Sequence, residues 1–240
     1  MPSRRWHHIS YSGVSPGGCS SLVARGRAAR ELRLQQSQSR IRLATLRDPS
    51  IIDPRYLDRS LVDYSEDLLG TLPGGLPNVM YPCTGSDAND LPLRIAATVT
   101  VKRGVIVTRN AHHGVTPETA AVLPSLGGDD SIAPSVRLVD APAGDGAEFA
   151  DAAALAAADL CASQHGFAAL IADSIFASDR VQRVSALFLR RIGDIVHDAD
   201  GLDIADEVQA GFGRPGLGLW GFRRDDTALG AVVPDIVTIG

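Results

Sequence analysis

Cysteine, lysine and long apolar runs are scarce in this chain of 240 residues. Three cysteines, Cys19, Cys83 and Cys161, are too few and too scattered for a disulfide framework or a zinc motif, so we expect reduced thiols. No run of about 18 apolar residues is present, so no membrane-spanning helix and no membrane partner are expected. Lys102 is the only lysine among 23 basic residues, which leaves a single candidate for lysine chemistry.

The charge is distributed unevenly along the chain. Residues 1–47 contain nine arginines and one acid, Glu31, whereas residues 48–240 carry 14 basic and 27 acidic residues. The acidic main body argues against nucleic acid as a partner. The 45% of apolar residues and 21% of charged residues are ordinary for a globular protein and are enough to build a sizeable core.

The first 47 residues differ in composition from the rest. They are rich in Arg, Ser and Gln, and we expect them to be poorly ordered or loosely attached. The same composition also fits an organellar transit peptide. A wrongly assigned start or a shifted reading frame is a third interpretation, because the composition changes sharply near Asp48.

From Asp53 onward the sequence alternates between helix and strand patterns. Apolar spacings of three and four predict amphipathic helices over 60–72 and 184–196, and an Ala-rich run predicts a helix over 151–161. Short apolar runs predict strands at 79–81, 104–108, 136–139, 167–172, 202–205 and 235–239. This alternation is typical of an α/β fold with a largely parallel sheet, in which ligands bind at the carboxyl ends of the strands.

One candidate site is the stretch Thr84-Gly-Ser-Asp-Ala-Asn89, a turn that enters a helix. Backbone N–H groups and the helix dipole at such a turn can hold a phosphate without a lysine. The alternative is an ordinary N-cap by Ser86 with acids in the first turn. Pro92 lies inside this helix and costs roughly 3 kcal/mol unless a kink or a late helix start reduces the loss.

Two further motifs follow strands. The adjacent histidines of Ala111-His-His-Gly114 could bind a metal or stack on an aromatic ligand, but no third metal ligand stands at a suitable spacing, and a surface turn is the alternative. In Ile204–Arg214 a strand delivers Asp206 and Glu207 to its carboxyl end and enters a glycine-rich loop. A carboxylate there can hold a protonated ring nitrogen, and the alternative is a plain loop.

Together with other stretches, these motifs resemble the class-III aminotransferases, which are pyridoxal-phosphate enzymes of fold type I. The other stretches are Trp220-Gly-Phe222, Val233–Gly240 and Ala168–Asp173, the last matching a strand that ends in an acid below the cofactor. The resemblance is strongest to the branch of alanine–glyoxylate aminotransferase-like proteins and amino-alcohol phosphate phospho-lyases. It implies an incomplete large domain of this α/β fold over residues 48–240, with a mostly parallel sheet flanked by helices.

The resemblance implies pyridoxal 5′-phosphate as the cofactor and assigns residues to its two ends. Gly85 and Ser86, with the backbone of Asp87, would bind the phosphate at a helix N-terminus. His112 stands where a Tyr or Phe usually stacks on the pyridine ring, and imidazole stacks over a smaller area. No metal site is implied.

At the other end of the cofactor, Asp206 would pair with the protonated ring nitrogen and Gln209 would hydrogen-bond near the phenolic oxygen. Asp173 would belong to a second layer, at a position where the family more often has Glu. For Glu207 and Arg214 two interpretations stay open, namely contact with substrate and a salt bridge within the loop.

The family's Schiff-base lysine directly follows a strand like Val237–Gly240, and this sequence ends there. We expect Lys102 to be a surface residue rather than its replacement. Without that amine, and without the C-terminal small domain, no catalytic residue is expected in the 240 residues as given, and we expect them to be inactive.

At the family level the resemblance implies a transaminase that moves an amino group between an amino donor and a keto acid or aldehyde. A phospho-lyase acting on an amino-alcohol phosphate, or a non-catalytic fragment, are the alternatives. The resemblance also implies a homodimer for the complete protein. Cytoplasmic localisation is expected, with a mitochondrial address as the weaker option.

Overall fold

The computed structural model describes residues 21–24, 59–127, 132–182, 184–216, 218–223 and 232–240. The strands are β1 (Ser21–Ala24), β2 (Asn78–Met80), β3 (Gly104–Thr108), β4 (Val136–Val139), β5 (Phe167–Asp173), β6 (Leu202–Asp206) and β7 (Ile236–Ile239). The α-helices are α1 (Arg59–Thr71), α2 (Gly85–Thr100), α3 (Pro117–Ala121), α4 (Pro124–Gly127), α5 (Ala147–Ala162) and α6 (Ala186–Asp198). None of these helices is long and apolar enough to cross a membrane.

The strands form one sheet in the order β2-β1-β7-β6-β5-β3-β4. Neighbours from β7 to β4 are parallel, whereas β1 runs antiparallel to both β2 and β7. The expected α/β fold with a mostly parallel sheet flanked by helices is therefore confirmed. Each strand from β3 to β7 lies within one residue of the position that its apolar run predicts, because a strand buried on both faces must be apolar throughout.

Strand β1 lies inside the segment that we expected to be poorly ordered. Its backbone pairs Leu22 with Met80 on one side and with Thr238 on the other. These four residues contain a short apolar run within the Arg-rich and Ser-rich composition, and the expectation of poor order for residues 1–47 stays a prediction. The rest of residues 1–47 lies outside the described residues, as do the transit-peptide and reading-frame interpretations.

Helices pack on both faces of the sheet. On one face, α2 buries Leu93, Ile95 and Ala96 against alternate residues of β5, β6 and β7. On the other face, α5 and α6 bury an aromatic cluster that includes Phe149 and Phe188. Since side chains alternate along a strand, each strand contributes to both layers.

Helix α2 begins at Gly85 and is not capped by Ser86. Thr84 is the N-cap, and its Oγ1 accepts the N–H of Asp87 at 3.1 Å. An N-cap by Ser86 is therefore wrong, as is a late start. The helix continues through the buried Pro92, which removes the N–H that would reach the carbonyl of Ala88.

The carboxyl ends of three parallel strands bring polar residues into one row. The register of the sheet places Asp173 of β5 opposite Asp206 of β6, and Asp206 opposite Thr238 of β7. Alternation puts all three on the face that α2 covers, the same face as Ile204 and Ile236. The fold thus gathers these polar groups beside the first turns of α2.

Candidate functional site

The carboxylate of Asp206 is the centre of a buried hydrogen-bond network. Its Oδ2 accepts the Nδ2–H of Asn89 at 2.8 Å and the Nδ1–H of His113 at 2.7 Å. Its Oδ1 accepts the backbone N–H of Val208 at 3.0 Å. The Asp206 side chain is only 6% exposed, so these donors replace water in supporting the carboxylate.

Asn89 connects this carboxylate to the last strand and to the histidine loop. Its Oδ1 accepts the hydroxyl of Thr238 at 2.6 Å, and its Nδ2 also donates to the carbonyl of His113 at 2.8 Å. Both Asn89 and Thr238 are buried. One side chain on α2 therefore links β6, β7 and the loop that contains the histidines.

The two adjacent histidines have different environments. His112 is exposed, and its Nδ1 lies 3.2 Å from Oγ of Ser125. His113 is buried against Asp206, so a surface turn is correct for His112 and wrong for His113. Because carboxylate oxygens only accept, Nδ1 of His113 carries the hydrogen, and its buried Nε2 has no hydrogen-bond partner among the described residues. Within those residues no cluster of three or more His, Cys, Asp or Glu side chains could hold a metal.

The histidine loop packs directly on the start of α2. Oγ of Ser86 accepts the N–H of Val115 at 3.3 Å, and the carbonyl of Ser86 accepts the hydroxyl of Thr116 at 3.4 Å. Gly114 has φ +134°, and a Cβ there would lie 2.7 Å from both Cα and Oγ of Ser86. A Cβ on Gly85 would lie 2.9 Å from Cγ1 of Val208. Glycine at both positions allows three segments to meet around the helix N-terminus.

The predicted phosphate-binding residues lie in this first turn. Gly85 and Ser86 are the first two residues of α2, and their N–H groups have no acceptor within the helix. The N–H of Asp87, by contrast, already donates to Thr84, whose hydroxyl donates to the Asp87 carboxylate at 2.8 Å. The helix N-terminus favours an anion through its dipole and its first amides.

Glu207 holds the glycine-rich loop from inside. Its fully buried carboxylate accepts the backbone N–H of Gly221 at 2.6 Å and of Phe222 at 3.0 Å. Burial raises the pKa of Glu207 to about 7, although these bonds and one from Ser174 favour the charged form. Arg214 is exposed, and the described partners of the Glu207 carboxylate are backbone N–H groups rather than a guanidinium.

Two further candidate residues, Asp173 and Gln209, lie at the carboxyl ends of β5 and β6. Oδ1 of Asp173 accepts the N–H of Ile175 at 2.9 Å, and its Oδ2 accepts the N–H of Ala177 at 2.8 Å, so this side chain shapes the turn after β5. Burial raises the pKa of Asp173, the two backbone bonds oppose that rise, and the nearby Asp206 adds to it. Gln209 is exposed in the turn after β6.

Three residues of the network were not assigned a role from the sequence: Asn89, His113 and Thr238. Thr238 is the single polar residue in the buried run Ile236–Ile239, which is a signal that the sequence does contain. Asn89 falls one helical turn after Gly85, but this spacing becomes informative only once the helix start is known. Nothing in the pair His112-His113 shows which ring points inward.

Lys102 is far from these residues in the fold. It precedes β3, at the amino ends of the parallel strands, and its Nζ lies 3.7 Å from Oδ2 of Asp200. Asp206 and Thr238 lie at the opposite, carboxyl ends of these strands. That Lys102 does not replace the family's lysine stays a prediction.

The chain is similar to known proteins in both sequence and fold. "Alanine--glyoxylate aminotransferase 2-like" of Drosophila melanogaster is 32% identical over 202 residues, which are 77% of this chain and 40% of that protein. "Ethanolamine-phosphate phospho-lyase homolog 1" of Caenorhabditis elegans is 30% identical, over 80% of this chain and 45% of that protein. The chain thus spans less than half the length of these relatives.

A solved phospholyase from Arthrobacter in complex with phosphoethanolamine has a TM-score of 0.69 and 30% identity, over 89% of this chain and 49% of that one. An omega transaminase from Pseudomonas jessenii in complex with PMP shares the fold at a TM-score of 0.64 and 23% identity, over 89% of this chain and 48% of that one. The family model "Aminotransferase class-III" matches residues 49–240. The chain therefore belongs to the class-III aminotransferase family.

Proposed function

We propose that this chain forms the cofactor-binding part of a transaminase that moves an amino group between an amino donor and a keto acid or aldehyde. Family membership implies pyridoxal 5′-phosphate as the cofactor. The observation that carries the proposal is the buried Asp206, held by side chains from α2 and the histidine loop beside the N-terminus of α2. A phosphate and a protonated ring nitrogen are complementary to these two features.

The residues present fit this cofactor. The first amides of α2, at Gly85 and Ser86, are suited to its phosphate, and the close approach of Gly114 keeps that turn compact. Asp206 offers an anionic acceptor to a pyridinium N–H.

When bound, the cofactor supplies an aldehyde for the amino group and an electron-withdrawing ring. In our proposal Gly85, Ser86 and the Asp87 backbone hold the phosphate, and Thr84 competes for the Asp87 N–H. His112 and Gln209, both exposed, would stack on the ring and contact its phenolic oxygen. Asp206 would offer an anionic acceptor to the ring N–H, and Asp173 would belong to a second layer on the neighbouring strand.

The residues that the structure describes do not provide the amine that this chemistry requires. Lys102 is the only lysine in the sequence and lies at the other edge of the sheet. Activity, substrates and the homodimer are therefore proposed for the protein as it exists in its source. We propose a cytoplasmic location, with the mitochondrion as the second option, since relatives from Arabidopsis thaliana and Homo sapiens are named mitochondrial.

A phospho-lyase is the second candidate. It is supported by the relative named as a phospho-lyase homolog and by the fold match to a phospholyase, both at 30% identity. Both activities need the same phosphate and ring-nitrogen contacts, so the residues around Asp206 do not separate them. The two differ in whether the substrate pocket takes a phosphate or a carboxylate.

The test is an assay of the protein purified from its source, with its intact mass determined on the same sample. Transfer of an amino group from alanine that depends on added glyoxylate supports the transaminase. Release of inorganic phosphate from phosphoethanolamine without a keto acid supports the lyase. A mass near 25.3 kDa with neither activity above a heat-inactivated control supports a non-catalytic chain and overturns both enzyme proposals.

A further inference from the structure

The hydrogen bonds of Asp206 are distributed unequally between its two oxygens. A carboxylate oxygen accepts about two hydrogen bonds in the plane of the group. Oδ2 already has two donors, Asn89 and His113, whereas Oδ1 has one close donor, the N–H of Val208. The hydroxyl of Thr238 lies 3.5 Å from Oδ1, but its hydrogen is committed to Asn89 at 2.6 Å. Oδ1 therefore retains one accepting position.

This asymmetry depends on how the Asn89 amide is oriented. Its Oδ1 accepts from Thr238, so its Nδ2 faces Oδ2 of Asp206 and the carbonyl of His113. If the amide were flipped, its oxygen would face both of these acceptors, and the low dielectric of a buried site would strengthen the repulsion. Because Thr238 is fully buried and Asn89 is 2% exposed, the bond from Thr238 is a buried contact that fixes one orientation.

We propose that Asn89, oriented by Thr238, is a positioning residue that fills Oδ2 of Asp206 and reserves Oδ1 for a single ring N–H donor. This inference rests on the proposed function and names the residues that make Asp206 selective. Asn89 also stands one turn after Gly85 on α2, about 6 Å along the helix axis. One helix thus sets both the phosphate-binding end and the orientation of the acceptor for the ring nitrogen.

The experiment uses the 240-residue chain and pyridoxamine 5′-phosphate, which binds without a lysine. Thr238→Val removes the hydroxyl with little change of shape, and Thr238→Ser is the matched control that keeps it. Asn89→Leu removes both polar groups of the amide at similar volume. For each protein we would measure the dissociation constant and, by absorbance, the pH at which the bound ring nitrogen loses its proton. Binding of inorganic phosphate, followed by competition, reports separately on the start of α2.

We expect wild type and Thr238→Ser to keep the ring nitrogen protonated to the same pH, above that of the free ligand. Thr238→Val and Asn89→Leu should lower this pH by about one unit. They should also weaken binding about tenfold, with inorganic phosphate bound as in wild type. A purely structural role would instead reduce inorganic phosphate binding as well, or would change affinity without moving the titration.

Equal titrations and affinities for Thr238→Val and wild type would overturn the positioning role and leave the proposed function intact. Loss of inorganic phosphate binding in Thr238→Val would also overturn it, because α2 itself would then be disturbed. If Asn89→Leu fails to fold, the two Thr238 variants decide the question. A folded wild type that binds no pyridoxamine 5′-phosphate would overturn the proposed function, and this inference with it.

Discussion

A buried carboxylate with an altered proton affinity stands next to the one that we assign to the cofactor. Glu207 follows Asp206 directly, but its side chain is turned into the interior, where it accepts backbone N–H groups of Gly221 and Phe222. Burial raises its pKa to about 7 against 4.5 for the unperturbed group. The folded chain therefore binds a proton at Glu207 more strongly than the unfolded chain does.

This difference predicts a pH-dependent stability. The contribution of Glu207 is fully present below about pH 4.5 and is lost as pH rises through 7. From pH 5 to pH 8, wild type should lose about 3 kcal/mol of unfolding free energy relative to Glu207→Gln, which does not titrate. Urea unfolding at several pH values measures this, with the exposed Glu118→Gln as the control substitution. A difference between wild type and Glu207→Gln that stays constant with pH would refute the assignment.

Single residues of the site could be predicted from the sequence only where a local pattern marks them. Asp206 is a candidate from the sequence because it ends an apolar strand and enters a glycine-rich loop. Asn89 and His113 contact it from 117 and 93 residues away along the chain, and no local pattern encodes such distances. Thr238 was visible as a polar residue in an apolar run, yet its partner on α2 depends on tertiary packing.

At the scale of elements, the start of α2 depends on how closely the histidine loop can approach it. Gly114→Ala would place a Cβ 2.7 Å from Ser86 at a backbone φ of +134°. We expect a loss of about 2 kcal/mol or more in unfolding free energy, because both the contact and the φ are unfavourable. Binding of pyridoxamine 5′-phosphate should fall at least about tenfold, since the first turn of α2 must shift.

The control for this substitution is Gly70→Ala. Gly70 lies in α1, and a Cβ there meets no atom within 4 Å. It should stabilise the protein by up to about 1 kcal/mol through helix propensity. Thermal unfolding of both variants gives the comparison. A Gly114→Ala protein as stable as Gly70→Ala, with unchanged ligand binding, would show that the loop does not press on α2.

Strand β1 was not predicted from the sequence, and its place in the sheet can be tested. Its backbone pairs with β2 on one side and with β7 on the other. A proline in β1 would therefore disturb the pairing of an internal strand rather than of an edge strand. Val23→Pro should reduce the free energy of unfolding by about 3 kcal/mol, whereas Val23→Thr, which keeps the N–H, should change it by less than about 1 kcal/mol. Equal stability of the two variants would place β1 outside the sheet.

At the scale of the whole molecule, the parallel strands bring distant motifs to one edge. The alternation of apolar runs predicted the class of fold, because strands buried on both faces and helices with one apolar face leave clear periodicities. It could not predict the antiparallel β1, whose four residues are too short for any period to appear. The sheet order, which sets β6 between β5 and β7, follows from packing rather than from local sequence.

The candidate site residues and the lysine therefore lie at opposite ends of the parallel strands. Asp206, Thr238 and the start of α2 lie at the carboxyl ends of the parallel strands. Lys102 and its partner Asp200 lie at the amino ends. The carboxyl edge is where open α/β sheets bind their ligands. The 240 residues thus bring together groups suited to a phosphate and a ring nitrogen, and the reactive amine is not among them.

We propose that Asp206 and the start of α2 form a site for a phosphorylated pyridine. The most direct measurement is calorimetric titration of pyridoxamine 5′-phosphate into the 240-residue chain and into Asp206→Asn. We predict saturable one-to-one binding to wild type and at least about tenfold weaker binding to the variant, which lacks the anionic acceptor. Equal binding by the two proteins, or none by a folded wild type, would contradict the claim.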